Sequence, residues 1–282
     1  MCGIWQSAPG EELPPSAYDA LPPDLRDVNL TGGEPFLRDD LPDIHAALRR
    51  ACPRARTVVS TNGFLTDRIL DHVRRMRQVE PGLGLALSMD GPAEVHDRLR
   101  SVPGGHARTL RTLKALQAEG VRNLRLAFTL TPANAGHFGE VYDLARARGV
   151  EFTCAVQHAS EHYFRSEADS ADLATDAVRG QLESVVRREL RSWRPKSWAR
   201  AYFMHGLWEF VRGRGRLHPC RAGRDFLFLD PAGELYTCNA MPFRMGNLRA
   251  GFETAWRSGD ATGARGQADR CAACWMICTA RV

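Results

Sequence analysis

Between residues 27 and 158, short apolar runs alternate with longer segments whose apolar positions recur every three or four residues. The runs cover 28–30, 57–60, 83–87, 124–130 and 152–156, and each is rich in Val, Leu, Phe or Thr, as strands buried in a parallel sheet tend to be. The periodic segments at 40–51, 66–78, 107–119 and 136–148 predict helices between them. Gly120 and Gly149 stand where helix-ending glycines belong, and Thr66 is placed to cap the second helix. Repeated βα units of this kind predict a parallel sheet in an α/β fold.

Every apolar run ends in a chemically equipped turn. These turns are Thr31-Gly32-Gly33-Glu34-Pro35, Thr61-Asn62-Gly63, Ser88-Met89-Asp90-Gly91-Pro92, Thr131-Pro132-Ala133-Asn134 and Gln157-His158. In a (β/α) barrel the C-terminal strand ends form the rim on which active sites are assembled. Five strands are visible, a closed or nearly closed barrel needs at least one more, and none fits before residue 27. The expected fold is therefore a partial (β/α)6 TIM-like barrel whose first strand is missing, over residues 1–158.

Beyond it, residues 159–215 predict a helical bridge, with an aromatic-rich stretch at Trp198, Tyr202, Phe203, Trp208 and Phe210 that reads as core. Residues 216–282 form a third unit. There, apolar runs at 226–229 and 234–237 flank Asp230-Pro231-Ala232-Gly233, which signals a β-hairpin.

Composition narrows the class. The chain has 282 residues, 44% hydrophobic and 25% charged, which excludes disordered and collagen-like proteins. No stretch approaches the roughly 20 apolar residues of a membrane span, and no signal peptide is visible, so a cytoplasmic protein is expected. The formal charge of +5 comes with 33 acidic residues interspersed among the basic ones. That mixture predicts a solvated surface and no nucleic-acid partner.

The eight cysteines change the picture, because five of them (Cys220, Cys238, Cys271, Cys274, Cys278) lie in the last quarter of the chain. In a reducing compartment, clustered cysteines bind metal or do redox chemistry more often than they pair. Cys271-x2-Cys274 puts two thiolates on one turn within reach of a single metal centre. A four-cysteine zinc ribbon satisfies that spacing; the fifth cysteine and the Cys-x2-Cys-x3-Cys triplet suit iron–sulfur ligation at least as well. Cys52 reads as a packed helix residue and Cys154 as a strand residue.

These features, taken together with Cys2-Gly3-Ile4-Trp5, the Gly32-Gly33-Glu34-Pro35 turn and His96-Asp97-Arg98-Leu99-Arg100, strongly resemble the radical S-adenosylmethionine (radical SAM) enzymes that carry a C-terminal SPASM or twitch auxiliary-cluster domain. The resemblance implies that Gly32, Gly33, Glu34 and Pro35 contact the SAM amino group, and that Ser88 and Arg100 serve its carboxylate. It implies further contacts to the ribose or methionine from Asn62, Asp90 and Asn134, the last two reading equally as turn-stabilising Asx residues, and a cradle for adenine around Gln157. Three thiolates would hold a 4Fe–4S cluster that binds SAM and cleaves it, with one electron, to a 5′-deoxyadenosyl radical. The substrate would be a peptide or a small metabolite, and the electron donor a flavodoxin or ferredoxin.

The match departs from the family at both ends. Cys2 fits the third position of the Cys-x3-Cys-x2-Cys motif, and the two partner cysteines would lie upstream of Met1. The chain is expected to be short of an N-terminal portion. The tail has five cysteines where SPASM domains with two auxiliary clusters use seven, so one auxiliary 4Fe–4S cluster is expected on Cys220, Cys238 and two of Cys271, Cys274 and Cys278. The alternative is a catalytically inactive barrel with a structural zinc or iron–sulfur tail that acts as a binding protein. No catalytic acid or base is assigned; Glu161, His158, Tyr163 and His205 read as structural or surface residues.

Overall fold

The computed structural model describes residues 3, 4, 10–158, 160, 162, 163 and 170–278. Five parallel strands, β1 (Asp27–Leu30), β2 (Arg56–Thr61), β3 (Gly84–Ser88), β4 (Asn123–Leu130) and β5 (Glu151–Val156), lie side by side in sequence order. Each crossover is helical: α1 (Leu41–Ala51), α2 (Thr66–Val79), the pair α3 (Ala93–Arg100) and α4 (Gly105–Ala118), and α5 (Phe138–Ala147). Such a sheet, curled with its helices outside, is an α/β half-barrel.

Only β3 buries both faces; β2, β4 and β5 do not, contrary to the expectation drawn from their apolar runs. Burial alternates strictly along β2, β4 and β5. One face carries Val59, Leu85, Leu87, Leu126, Phe128 and Phe152 into the helix layer, where Phe128 and Phe152 each meet the Phe138 ring edge-on. The opposite, concave face carries Ser60, Ser88, Arg125, Ala127, Thr129, Thr153 and Ala155, all half-buried, and the pairing of β2 to β5 brings these into common rows. Small and polar side chains cannot fill the inside of a barrel, so the concave face is an open trough. Cys154 falls on the helix side, buried, where desolvation pushes its thiol up to about 12.

One local expectation needs correction. Thr66 is the first residue of α2 rather than its cap, and its hydroxyl pairs with that of Thr112 at 2.7 Å. The Gly-containing stretch before Cys271 is a helix, α9 (Gly259–Arg270), because Ser258 caps it at Ala261 N–H and Ala261, Ala264 and Ala268 supply a buried stripe. Cys52 ends α1, fully buried, its Sγ 3.2 Å from the Pro22 carbonyl oxygen.

After β5 the chain forms α6 (Asp176–Leu190) and α7 (Pro195–Val211). The last unit is a three-stranded antiparallel sheet, β6 (Phe228–Leu229), β7 (Glu234–Tyr236) and β8 (Arg244–Asn247), followed by α8 (Phe252–Trp256) and α9. The hairpin expected at residues 230–233 is present, with Gly233 at φ +91°. A second core joins this unit to the barrel, since Leu235, Met245 and Phe252 pack with Leu13 and with Ile44 and Leu48 of α1.

Trp275 makes the other junction. Its ring is fully buried against Phe203, its Nε1 donates to the Phe203 carbonyl oxygen at 2.9 Å, and it passes so close to Gly206 of α7 that a Cβ there would collide with the ring. Only glycine allows that approach.

Candidate functional site

The loop after β1 opens onto the rim. A Cβ added to Gly32 or Gly33 would meet no atom within 4 Å, so their backbone faces free space. Glu34 closes the loop from below: its carboxylate accepts from Thr61 Oγ1 and Asn62 N–H, both at 2.8 Å, and from Phe36 N–H at 3.3 Å. Burial pushes this carboxyl above its ordinary range, while the three donors and the nearby Arg100 charge oppose the shift. Pro35 is buried at the start of a 3-10 turn. Asn62 is half-buried, and its Oδ1 caps Phe64 N–H at 2.8 Å. Ser88 is half-buried on the concave face at the end of β3.

Asp90 and Asn134 are placed differently from the ligand contacts expected of them. Asp90 is fully buried; Oδ2 accepts from Arg100 Nε at 2.7 Å and Oδ1 from Thr129 N–H at 3.1 Å, while its own N–H donates to His96 Nδ1. Asn134 is 1% exposed, and both ends of its amide are taken, Oδ1 by Thr131 and Nδ2 by the Asp90 and Thr129 carbonyls. Both therefore shape the rim from behind. Their joint product is the placement of Arg100, the last residue of α3, beside Glu34 and the open glycine loop. His96 is held neutral, its pKa pushed down by burial to about 4.

Gln157 is half-buried at the end of β5, its N–H on the Leu130 carbonyl. His158 is 5% exposed, edge-on to Phe210, with its ring bonded to the Trp275 backbone, and burial lowers its pKa to about 4. Cys2 and Glu161 lie outside the described residues.

At the other end, Cys220, Cys238, Cys271, Cys274 and Cys278 all line one narrow cleft, between the β7–β8 connection and the segment after α9. All are free thiols. Burial raises the pKa of Cys238 and of Cys274, and the neighbouring thiols add to the rise at both. Among the described residues no three His, Cys, Asp or Glu side chains converge on a point that would hold one metal ion. A zinc site gathers its thiolates at about 2.3 Å from a single ion. Five cysteines spread over the walls of one cleft fit a multi-iron cluster better, because each iron takes its own thiolate. Sequence reasoning missed two residues here: Arg216, which shares the cleft, and Gly206, which admits Trp275.

Comparison with known proteins assigns both regions. The radical SAM superfamily model matches residues 12–145, and the SPASM model, an iron–sulfur cluster-binding domain, matches residues 220–275. Residues 12–145 thus carry a radical SAM domain and residues 220–275 a SPASM domain. Similar proteins are enzymes by name. Fe-coproporphyrin III synthase of Methanosarcina barkeri is 31% identical over 57% of this chain and 39% of its own length. AdoMet-dependent heme synthase of the same organism is 26% identical over 82% of this chain and 68% of its own length. Mycofactocin maturase MftC of Mycobacterium tuberculosis is 26% identical over 82% of this chain and 58% of its own. The matched regions thus span between 39% and 68% of these relatives. A solved structure of hexahistidine-tagged anSMEcpe with bound AdoMet shares the fold, at a TM-score of 0.60 and 15% identity over 96% of this chain and 80% of that one. No helix among the described residues is long and apolar enough to cross a membrane.

Proposed function

We propose that the rim binds S-adenosylmethionine and that the protein acts as a radical SAM oxidoreductase, with an auxiliary iron–sulfur cluster in the cysteine cleft. The observation that carries the reading is Arg100, anchored on buried Asp90 beside a glycine loop that faces free space. A guanidinium is planar, always charged and shaped for a carboxylate, and one of its edges is held by Asp90, which fixes how it meets a ligand. Gly32 and Gly33 offer backbone groups to an amino group at van der Waals distance. Ser88 adds a hydroxyl from the trough, and Gln157 a side chain from the opposite end of the sheet. Loaded with SAM and an electron, the iron–sulfur loop that Cys2 belongs to would supply a 5′-deoxyadenosyl radical that removes hydrogen from substrate. The trough then orients the substrate and keeps water away.

For the substrate we favour a carboxylate-bearing tetrapyrrole, a small metabolite. The Fe-coproporphyrin III synthase and heme synthase relatives support that class. A peptide is the second reading, and the mycofactocin maturase relative favours it. An external electron donor of the flavodoxin or ferredoxin kind would serve either.

The test is 5′-deoxyadenosine formation with dithionite after anaerobic reconstitution. It would be run on these 282 residues and on a form extended to complete the Cys-x3-Cys-x2-Cys motif around Cys2. Cleavage by the extended form, lost in Arg100→Ala, is expected. Absence of cleavage in both forms would overturn the reading. Fe-coproporphyrin III binding, followed by its absorption band, separates the two substrate classes.

A further inference from the structure

The cysteine cleft holds one cation whose bonding is half complete. Arg216 lies in the linker between α7 and Cys220 and lines the cleft with the five cysteines. Its Nη2 donates to the carbonyl oxygen of Cys271, which ties the guanidinium to the loop that carries the Cys-x2-Cys pair. Its Nη1 is buried and has no hydrogen-bond partner among the described residues. A buried donor left unpaired costs about 1–3 kcal/mol, and more when it is charged. Among the described residues no Asp or Glu lines the cleft to meet it, and the acceptors there are the sulfurs, backbone carbonyls and the Thr237 and Asn239 side chains.

We propose that Arg216 is a positioning residue for the auxiliary cluster: Nη1–H donates to a cluster sulfide or ligating thiolate, and the fixed positive charge raises the cluster's reduction potential. This rests on the reading of the cleft as a cluster site. A cluster gains one negative charge on reduction, so a neighbouring cation stabilises the reduced form more than the oxidised one. Hydrogen bonds to cluster sulfurs act in the same direction. Arginine suits the task because it keeps its charge when buried and its rigid fork serves the Cys271 carbonyl and the sulfur at once.

The test compares Arg216, Arg216→Gln and Arg216→Lys, each with Cys2→Ala so that only the cleft contributes iron. Iron and sulfide per chain are measured first, then the midpoint potential by a redox titration followed by electron paramagnetic resonance. In Arg216→Gln the potential is expected to fall enough to lower the reduced-to-oxidised ratio about tenfold at fixed potential, a shift of about 59 mV for one electron. Arg216→Lys should recover part of that shift. An unchanged potential in Arg216→Gln at full iron content would overturn the proposal. Should Arg216→Gln lose iron, retention of iron by Arg216→Lys supports the charge, and loss in both variants reduces Arg216 to a structural strut and overturns it. A parent protein that takes up no iron and sulfide removes the cleft reading itself, a failure distinct from an unmoved potential.

Discussion

The rim and the cleft solve opposite problems. At the rim, the carboxylates behind the ligand face are already partnered by the protein: Asp90 accepts from Arg100 and Thr129 while its N–H donates to His96, and Glu34 accepts from Thr61, Asn62 and Phe36. That network sits between strands and helices and is complete within the protein's own side chains and backbone. In the cleft, thiols are crowded and desolvated, and burial disfavours the thiolate form at Cys238 and Cys274. Its wall after α9 has no regular structure up to residue 278. Metal ligation would supply there what hydrogen bonds supply at the rim, so folding and loading are coupled in one region and separate in the other.

That contrast can be broken by experiment. The largest effect is expected from Asp90→Ala, which leaves Arg100 without its anion and should cost about 3 kcal/mol in urea unfolding; iron uptake by the cleft should stay at the parental level. A fall in iron would show the two regions to be one. Gly206→Ala is the mirror experiment. Its Cβ would meet the Trp275 ring, an overpacking worth about 1–3 kcal/mol. Here iron per chain should drop and the Trp275 fluorescence environment change, while the Asp90–Arg100 contact persists.

The rim should also respond to pH. His96 is neutral in the fold, with a pKa of about 4 against an ordinary 6.5, so the unfolded chain binds the extra proton between those values. Stability is thus complete above about pH 6.5 and declines as pH falls towards about 4. Between pH 7 and pH 5 the loss attributable to His96 is about 2 kcal/mol. Unfolding midpoints at the two pH values check it: His96→Gln should show a shallower slope, and an equal slope would contradict the buried neutral ring. The smallest effect is expected from Glu34→Gln, whose single amide oxygen keeps the Thr61 and Phe36 bonds and gives up the one from Asn62 N–H, at about 1 kcal/mol by thermal melting.

How far the sequence foretold all this depends on the range of the interactions involved. The strands and the helices α1, α2, α4 and α5 were legible because period-two and period-3.6 patterns are local. The helix α3 was not, since its eight residues bury only Val95 and His96. Strand β8 was also hidden: Arg244-Met245-Gly246-Asn247 has no alternation, and Gly246 is required because a Cβ there would lie 2.8 Å from the Ala255 side chain. The motif residues Gly32, Gly33, Ser88 and Arg100 could be singled out one by one. That Asp90 and Asn134 stand behind the surface depends on bonds to residues about 40 positions away. Arg216 and Gly206 carry no local signal, because what makes them matter is Cys271 and Trp275, each more than 50 residues distant.

The rows of the trough also act as a depth gauge. Arg125, which bonds Asn123 and lies level with Ser60, Ala86 and Glu151, forms a charged floor. Ser88, Ala127 and Thr153 make the next rung, and Thr129 with Ala155 the one above. At about 3.3 Å per residue, floor to top rung is about 13 Å. A molecule larger than that leaves its remainder above the sheet, against the β5 exit and the hairpin of the last unit. Selection would then come in two stages, with the shaft grading the end that enters and the C-terminal unit grading the part that stays outside.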